Sequence, residues 1–353
     1  MIDKTVLAGM LPAELKKVLA SYPSFRSVQI YKGICSGAEN FGEISSLPLA
    51  LRKELSEKYN LVSGSVSSEL CSPEGTVKLG INLKDETIIE SVLLSDNKNR
   101  KTACLSTQAG CPSGCVFCKT GALGFKRNLT SDEITSQFLH LSKMLKKTNP
   151  ERLISHIVIM GMGEPLLNLQ ELRKALAFFT DPEGLKISKK RITVSTCGII
   201  EGLYSLIEEG SGMGLAVSLV TARQDLREKL MPVSIGNPLP RLKQALLDYQ
   251  KRYKDRITLE IVLLGGINTS REDAEAVAAF AKGLGVLINL IPWNAVEGLE
   301  INNNPIKTPN TREIMDFTTA LKDRGLNVTQ RYKKGKAIQG ACGQLGFTSN
   351  RLI

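Results

Sequence analysis

Residues 109–121 read Ala-Gly-Cys-Pro-Ser-Gly-Cys-Val-Phe-Cys-Lys-Thr-Gly, with Cys111, Cys115 and Cys118 in a C-x₃-C-x₂-C spacing. Three thiols this close in sequence suit one metal centre. A cubane iron–sulfur cluster normally takes four thiolates, so a local set of three leaves one iron without a protein ligand. An open coordination position is where a small molecule is held and activated, as at a catalytic zinc. A zinc site completed by Cys104 is the competing reading, although zinc knuckles and ribbons separate their cysteine pairs by longer loops. Cys342 is a different kind of thiol, alone among glycines in Gly340-Ala341-Cys342-Gly343-Gln344-Leu345-Gly346. Lys333, Lys334 and Lys336 precede it, and nearby cations lower a thiol's pKa. Glu90 is an acid inside the apolar run 88–94, and period-2 alternation leaves open whether it faces water or the interior.

Repeated β-then-α units must position these groups. From residue 102, β-branched apolar runs occur at 102–106, 154–160, 192–196, 214–220, 257–264 and 286–291. Helical patterns fall between them, at about 131–148, 170–180, 199–209, 239–253 and 271–284, and a last helix over 311–324 precedes a strand at 326–331. Six such units predict a parallel sheet, open or curled into a partial barrel. Thr130-Ser131-Asp132-Glu133 is a capping box that starts the first helix, with Ile134, Phe138 and Leu145 on its inward face. Upstream, residues 1–60 read as a small helical accessory domain, and 61–101 as a β-rich linker or hairpin. The core then spans 102–325, leaving a basic C-terminal segment at 326–353.

In α/β architectures ligands collect at the carboxyl ends of the strands. Those ends carry Gly163 and Glu164, Ser195, Ser218-Leu219-Val220, and Asn294. Glycines there allow close backbone approach, and Glu164 suits an ammonium group. Each turn alone is ordinary; together they point to one mouth beside the clustered thiols.

The composition fits this enzyme-like layout. The 353 residues are 42% hydrophobic and 23% charged, with no apolar run long enough to span a bilayer and no signal-peptide pattern at the start. Eight cysteines in such a chain point to a reducing cytoplasm and metal or thiol chemistry rather than a disulfide framework. The net charge of +11 favours a polyanionic partner, and seven Lys and Arg against the single acid Asp323 lie between Lys322 and Ile353. Cys35, Cys71 and Cys197 read as buried or incidental thiols.

With Phe117 directly before its last cysteine, the clustered motif resembles that of the radical S-adenosylmethionine (radical SAM) superfamily. The segments Cys104-Leu-Ser-Thr-Gln-Ala-Gly-Cys111, Gly124-Phe-Lys-Arg-Asn-Leu129, Met160-Gly-Met-Gly-Glu-Pro-Leu-Leu167 and Ala341-Cys342-Gly-Gln-Leu345 closely resemble the RlmN/Cfr family, radical SAM methyltransferases of adenine carbons in RNA. The likeness runs from the N-terminal helices to Gly346.

This resemblance implies an α/β fold, a partial (β/α)6 barrel, with one 4Fe–4S cluster held by Cys111, Cys115 and Cys118. It implies two SAM molecules per turnover, bound by Gly163, Glu164, Ser195, Ser218, Leu219, Val220 and Asn294. Cys342 then matches the thiol that is methylated first and carries the methyl to adenine. Cys104 matches the cysteine that forms a disulfide with the carrier and frees the base, and Glu90 the proton acceptor. RNA, ribosomal and in some cases transfer RNA, is the implied partner, with an electron donor such as flavodoxin or ferredoxin and no membrane. RlmN members act at adenine C2 and Cfr members at C8. The chain departs from the family pattern in having Val220 after Ser218-Leu219, where histidine is usual, and Lys336-Ala337-Ile338-Gln339 where the approach to the carrier is usually acidic. A different class of reading makes it a non-catalytic RNA-binding module stabilised by zinc on cysteines 104, 111, 115 and 118.

Overall fold

The computed structural model describes residues 4–96, 100–210, 212–330 and 335–346. Three helices open the chain, α1 (Pro12–Val18), α2 (Phe25–Cys35) and α3 (Leu49–Lys58). A short parallel ladder between β1 (Thr5–Val6) and β2 (Tyr59–Asn60) joins the two ends of this unit. Side chains dock it on the core: Tyr31 Oη donates to Asp181 Oδ2 at 2.5 Å, and its ring meets Phe178 edge-on at 5.7 Å between centroids.

β3 (Ser65–Cys71), β4 (Val77–Asn82) and β5 (Ile88–Ser95) form an antiparallel meander, and β5 pairs with β6 (Lys101–Cys104). The β-rich stretch therefore joins the main sheet directly. A separate hairpin, β7 (Gln108–Gly110) with β8 (Phe125–Asn128), brackets the clustered cysteines and the short helix α4 (Lys119–Ala122). Beyond it the units alternate: α5 (Ser131–Thr148), β9 (His156–Ile159), α6 (Leu169–Thr180), β10 (Ile192–Thr196), α7 (Ile200–Glu209) and β11 (Gly214–Ser218). They continue with α8 (Gln224–Leu230), α9 (Leu239–Tyr253), β12 (Ile257–Leu263), α10 (Arg271–Ala281) and β13 (Val286–Pro292). A hairpin of β14 (Glu300–Ile301) and β15 (Asn304–Pro305) then leads to α11 (Thr311–Lys322) and β16 (Val328–Gln330).

Across the sheet the order is β16-β13-β12-β11-β10-β9-β6-β5-β4-β3, parallel from β16 to β6 and antiparallel beyond. This is the parallel α/β sheet that the six β-then-α units predict, with β16 as a seventh parallel strand. The helix expected over 131–148 and the strand over 192–196 have those bounds. Strong local signals explain the agreement. Thr130 N–H donates to Glu133 Oε2 at 3.0 Å, completing the capping box, and Arg127 grips the same carboxylate bidentately at 2.7 and 2.8 Å.

Alternation sorts the strands' faces. On β10, Ile192, Val194 and Thr196 are buried, while Thr193 and Ser195 are half-buried on the other face, where the cavities lie. α5 and α6 pack with Phe138 and Phe179 at 5.3 Å between ring centroids. Among the described residues no helix is long and apolar enough to cross a membrane. Arg331, Lys333, Lys334 and Arg351 of the basic segment lie outside the described residues, as does the Lys336 side chain.

Candidate active site

The loop bearing the three clustered thiols is fixed at both ends by backbone contacts. Gly110 has φ +77°, and a Cβ there would stand 1.9 Å from the Gly124 carbonyl oxygen, so the β7–β8 crossing tolerates only glycine. Cys111 N–H donates to that same oxygen at 2.9 Å. Val116 N–H donates to Leu230 O at 3.1 Å, at the end of α8. The chain's single tryptophan, Trp293, donates its indole N–H to Phe117 O at 2.9 Å.

Cys111, Cys115 and Cys118 line one inner chamber. Burial pushes all three thiols up from their ordinary range; Cys118 and Cys111 reinforce this at Cys115, while N–H donors from Gly121 and Thr120 oppose it at Cys118. Buried, mutually repelling thiols gain most from a metal, which takes them as thiolates. Among the described residues no three His, Cys, Asp or Glu side chains gather as they would around a single ion. Cys104 opens onto a different, outer basin. The three thiols thus fit a metal centre that they hold without Cys104.

Opposite the thiols, the chamber holds Gly163, Glu164, Ser195, Ser218 and Asn294. Gly163 has φ +104°, and a Cβ there would meet Gln108 Cβ at 2.6 Å, so glycine is again required. The Glu164 carboxylate accepts from Thr196 Oγ1 at 2.7 Å, Cys197 N at 2.7 Å and Leu166 N at 2.9 Å. Burial raises its pKa against those hydrogen bonds. A carboxylate offers about four acceptor positions, and the Cys197 thiol, which also hydrogen-bonds Glu164, is the weak fourth donor that a ligand would displace. Asn294 donates Nδ2 to Cys342 O at 3.2 Å, and its Oδ1 is buried with no partner. Such an acceptor is costly unless a ligand donor meets it.

Cys342, Asn294, Met160 and Ile291 line both the inner chamber and the outer basin. The segment around Cys342 is secured there by contacts distant in sequence. Lys119 N–H donates to Gly343 O at 2.8 Å, Thr120 Oγ1 to Leu345 O at 2.6 Å, and Gln344 Nε2 to Ala295 O at 3.0 Å.

Glu90 points inward, which resolves the direction that alternation left open. Its Oε1 pairs with Lys78 Nζ at 2.8 Å and its Oε2 accepts from Gly346 N at 2.6 Å, while Lys78 Nζ also donates to Gln339 O at 3.3 Å. The pair contacts the chain on both sides of Cys342, at Gln339 and Gly346, and Glu90 is outside both cavity linings. Removing one partner of a buried ion pair typically costs about 3–5 kcal/mol, whereas replacing both by apolar groups is often neutral. Lys78→Met should therefore destabilise the protein by roughly that amount, and Lys78→Met with Glu90→Leu by clearly less. Denaturant unfolding measures both. Equal losses in the single and double variants would show that the pair does not act as a unit.

Leu219 and Val220, expected at the cofactor, are not brought to it. Both are fully buried and outside both linings, and Val220 has φ +63°, an outlier for a β-branched residue. Their backbone is used instead: Leu219 O accepts from Arg227 Nε at 3.2 Å and Val220 O from Asn268 Nδ2 at 2.9 Å. The turn that aims Ser218 into the chamber thus spends the next two side chains in the core.

Several chamber residues escaped sequence reasoning. Glu260 on β12 lines the chamber and accepts from Ser195 Oγ at 2.9 Å. It carries the signal that singled out Glu90, an acid within an apolar strand. Cys197 also lines the chamber, with Sγ 3.5 Å from Ser113 Oγ. Arg227 is fully buried, donating to Cys197 O at 2.7 Å and Asn237 O at 3.3 Å, and burial lowers its pKa. Nothing in its helical context distinguishes it from an exposed arginine.

Residues 105–281 match the family model described as the radical SAM superfamily. A protein of Treponema denticola named "Probable dual-specificity RNA methyltransferase RlmN" is 45% identical over 348 residues, 99% of this chain and 97% of its own. Proteins of the same name from Treponema pallidum and Thermus thermophilus are 43% and 38% identical, covering 97% and 94% of this chain and 98% and 94% of their own. A crystal structure of a radical SAM methyltransferase from Sphaerobacter thermophilus superposes with a TM-score of 0.92 at 34% identity, over 97% of this chain and 99% of that one.

Proposed function

The chain belongs to the RlmN family of radical SAM methyltransferases, and from that premise we propose that it methylates C2 of an adenine in RNA through an S-methylated Cys342. The observation that carries this reading is the position of Cys342 on the wall common to both cavities. A group received in the inner chamber can be presented to the outer basin without leaving the sulfur.

When bound, the cluster and SAM supply an electron and a 5′-deoxyadenosyl radical. Cys111, Cys115 and Cys118 would hold the 4Fe–4S cluster. Glu164, Ser195, Ser218 and the unpartnered Asn294 Oδ1 face the ligand across the chamber. Cys342 first takes a methyl group from one SAM by ordinary transfer, losing its own proton. A second SAM with the cluster would supply the radical that takes a hydrogen atom from the S-methyl group; the carbon would then bond to adenine C2, the adduct giving back one electron as it loses the C2 proton. Direct transfer fails at this carbon because it is electron-poor. Glu90 accepts the C2 proton, for which its carboxylate must exchange Lys78 and Gly346 for the substrate. The Cys104 thiol, giving up its proton, then attacks the Cys342 sulfur and closes a disulfide; the C–S bond breaks, its electron pair leaves with the base, and that carbon takes up a proton to become the methyl group. Ribosomal RNA and transfer RNA are the proposed substrates in a cytoplasmic setting, with flavodoxin or ferredoxin as electron donor.

Mass spectrometry of nucleosides from ribosomal and transfer RNA, in cells with and without the gene, tests the proposal. Loss of 2-methyladenosine from a mapped fragment supports it. Loss of 8-methyladenosine moves the activity to C8, and no change in either nucleoside despite expression sinks it.

The metal assignment has its own test. Protein purified without oxygen should be brown, and Cys115→Ala should lose most of its iron while Cys104→Ala keeps it. A colourless protein whose zinc content drops with either substitution would return the four-cysteine zinc site.

A further inference from the structure

We propose that the rim of the outer basin is a phosphate site, in which Lys190 and Arg191, facing Arg100, hold the RNA backbone beside the reacting base. The inference rests on the reading that RNA is the substrate. Lys190 and Arg191 belong to the short 3₁₀ turn Lys189–Arg191 that leads into β10. Both are exposed, both line the basin, and among the described residues neither has an acidic partner. Arg100 lines the same basin and is paired through Nε with Asp96 at 2.9 Å. Among the described residues of the lining Asp96 is the only acid, against the three cations Arg100, Lys190 and Arg191. The charges share one mouth: burial first, and then the fields of Arg100 and Arg191 against that of Asp96, lower the pKa of His156 in the basin wall.

Inward from this rim the lining turns apolar, through Val158, Met160, Ile291 and Ala341, and reaches the thiols of Cys104 and Cys342. A cationic rim over an apolar shaft has the polarity of a nucleotide, with phosphate at the surface and base inside. Like charges gathered at a mouth repel each other until an anion bridges them, so the arrangement suits an occupant that brings phosphate. A base must leave its stack for its carbon to reach Cys342, and clamping the flanking backbone holds it out.

The test uses anaerobically reconstituted full-length protein and an unmodified RNA fragment from cells lacking the gene. Dissociation constants are measured from 50 to 200 mM KCl for the wild type and for K190Q/R191Q. A second variant, K251Q/R252Q, removes two exposed cations from the outer helix α9. Each phosphate contact contributes about 0.7–0.9 to the slope of log K against log salt. K190Q/R191Q should therefore flatten the slope by roughly 1.4–1.8 and weaken binding about tenfold at 0.1 M salt. K251Q/R252Q should leave the slope near wild type. Methylation of Cys342 by SAM without RNA, read from protein mass, should be the same in all three.

An unchanged slope in K190Q/R191Q, or an equal flattening in both variants, overturns the phosphate site and leaves the methyltransferase reading intact. Wild-type protein that methylates Cys342 but does not bind the RNA overturns the RNA reading and the site with it.

Discussion

Cys342→Ala protein should bind iron and SAM normally and form no methylated adenosine. The expected loss is at least about 10³-fold, the scale on which removal of an obligatory nucleophile acts. The geometry explains why nothing replaces it. Cys111, Cys115 and Cys118 face the inner chamber only, and Cys104 faces the outer basin only. Cys342 is the one thiol among the described residues that reaches both. Its backbone contacts, from Asn294 to its carbonyl and from Lys119 to Gly343, do not involve the sulfur, so the segment should stay in place in the variant. Nucleoside mass spectrometry after incubation with unmodified RNA, beside iron and SAM-binding assays, measures the outcome. Retained product would remove Cys342 as carrier and direct attention to a transfer straight from SAM.

Cys104→Ala should instead stop in the middle of the reaction. Cys104 ends β6, where its neighbours Val92 and Val158 hold it in the sheet from both sides. A disulfide requires the two Cα atoms within about 4.4–6.8 Å, and Cys104 and Cys342 line the same basin. Without the Cys104 thiol, nothing on the outer-basin wall attacks the carrier sulfur once the base is bonded to it. The variant should convert during its first turnover into a covalent protein–RNA adduct on Cys342. The adduct should survive denaturation, collapse to a modified peptide after ribonuclease treatment, and be absent from Cys104→Ala/Cys342→Ala protein. Free turnover without an adduct would show that another group releases the product. Adduct formation also separates the enzyme from the zinc-stabilised binding module, in which Cys104 is a ligand and Cys342 has no role.

Local features of this chain were legible without a structure because short-range physics decides them. The capping box at Thr130 closes within four residues, so the start of α5 follows from its own sequence. The β-branched run 192–196 forms β10 with those bounds because both its faces are covered. Three thiols within eight residues are close enough in the chain to line one chamber, as they do. Likewise, Gly163 and Glu164 fall at a strand end because β9 stops before them.

What remained hidden depends on contacts between distant segments. Glu90 and Glu260 carry the same signal, an acid in an apolar strand, yet one pairs with Lys78 beneath the carrier segment and the other faces Ser195 in the chamber. Sheet order and register choose between those outcomes, and neither is encoded within seven residues of chain. Leu219 and Val220 follow a chamber residue directly, but the positive φ at Val220 turns both side chains into the core. Cys342 shows the division most clearly. Its sequence context marks it as an unusual thiol; its place between two cavities arises from hydrogen bonds to Asn294, Lys119 and Gly346's partner Glu90, each far away along the chain. By itself the sequence determined which groups exist and which local elements carry them, because those follow from spacing and backbone periodicity. Only the tertiary structure decided which groups face one another, because burial, pairing and orientation are set where remote segments meet.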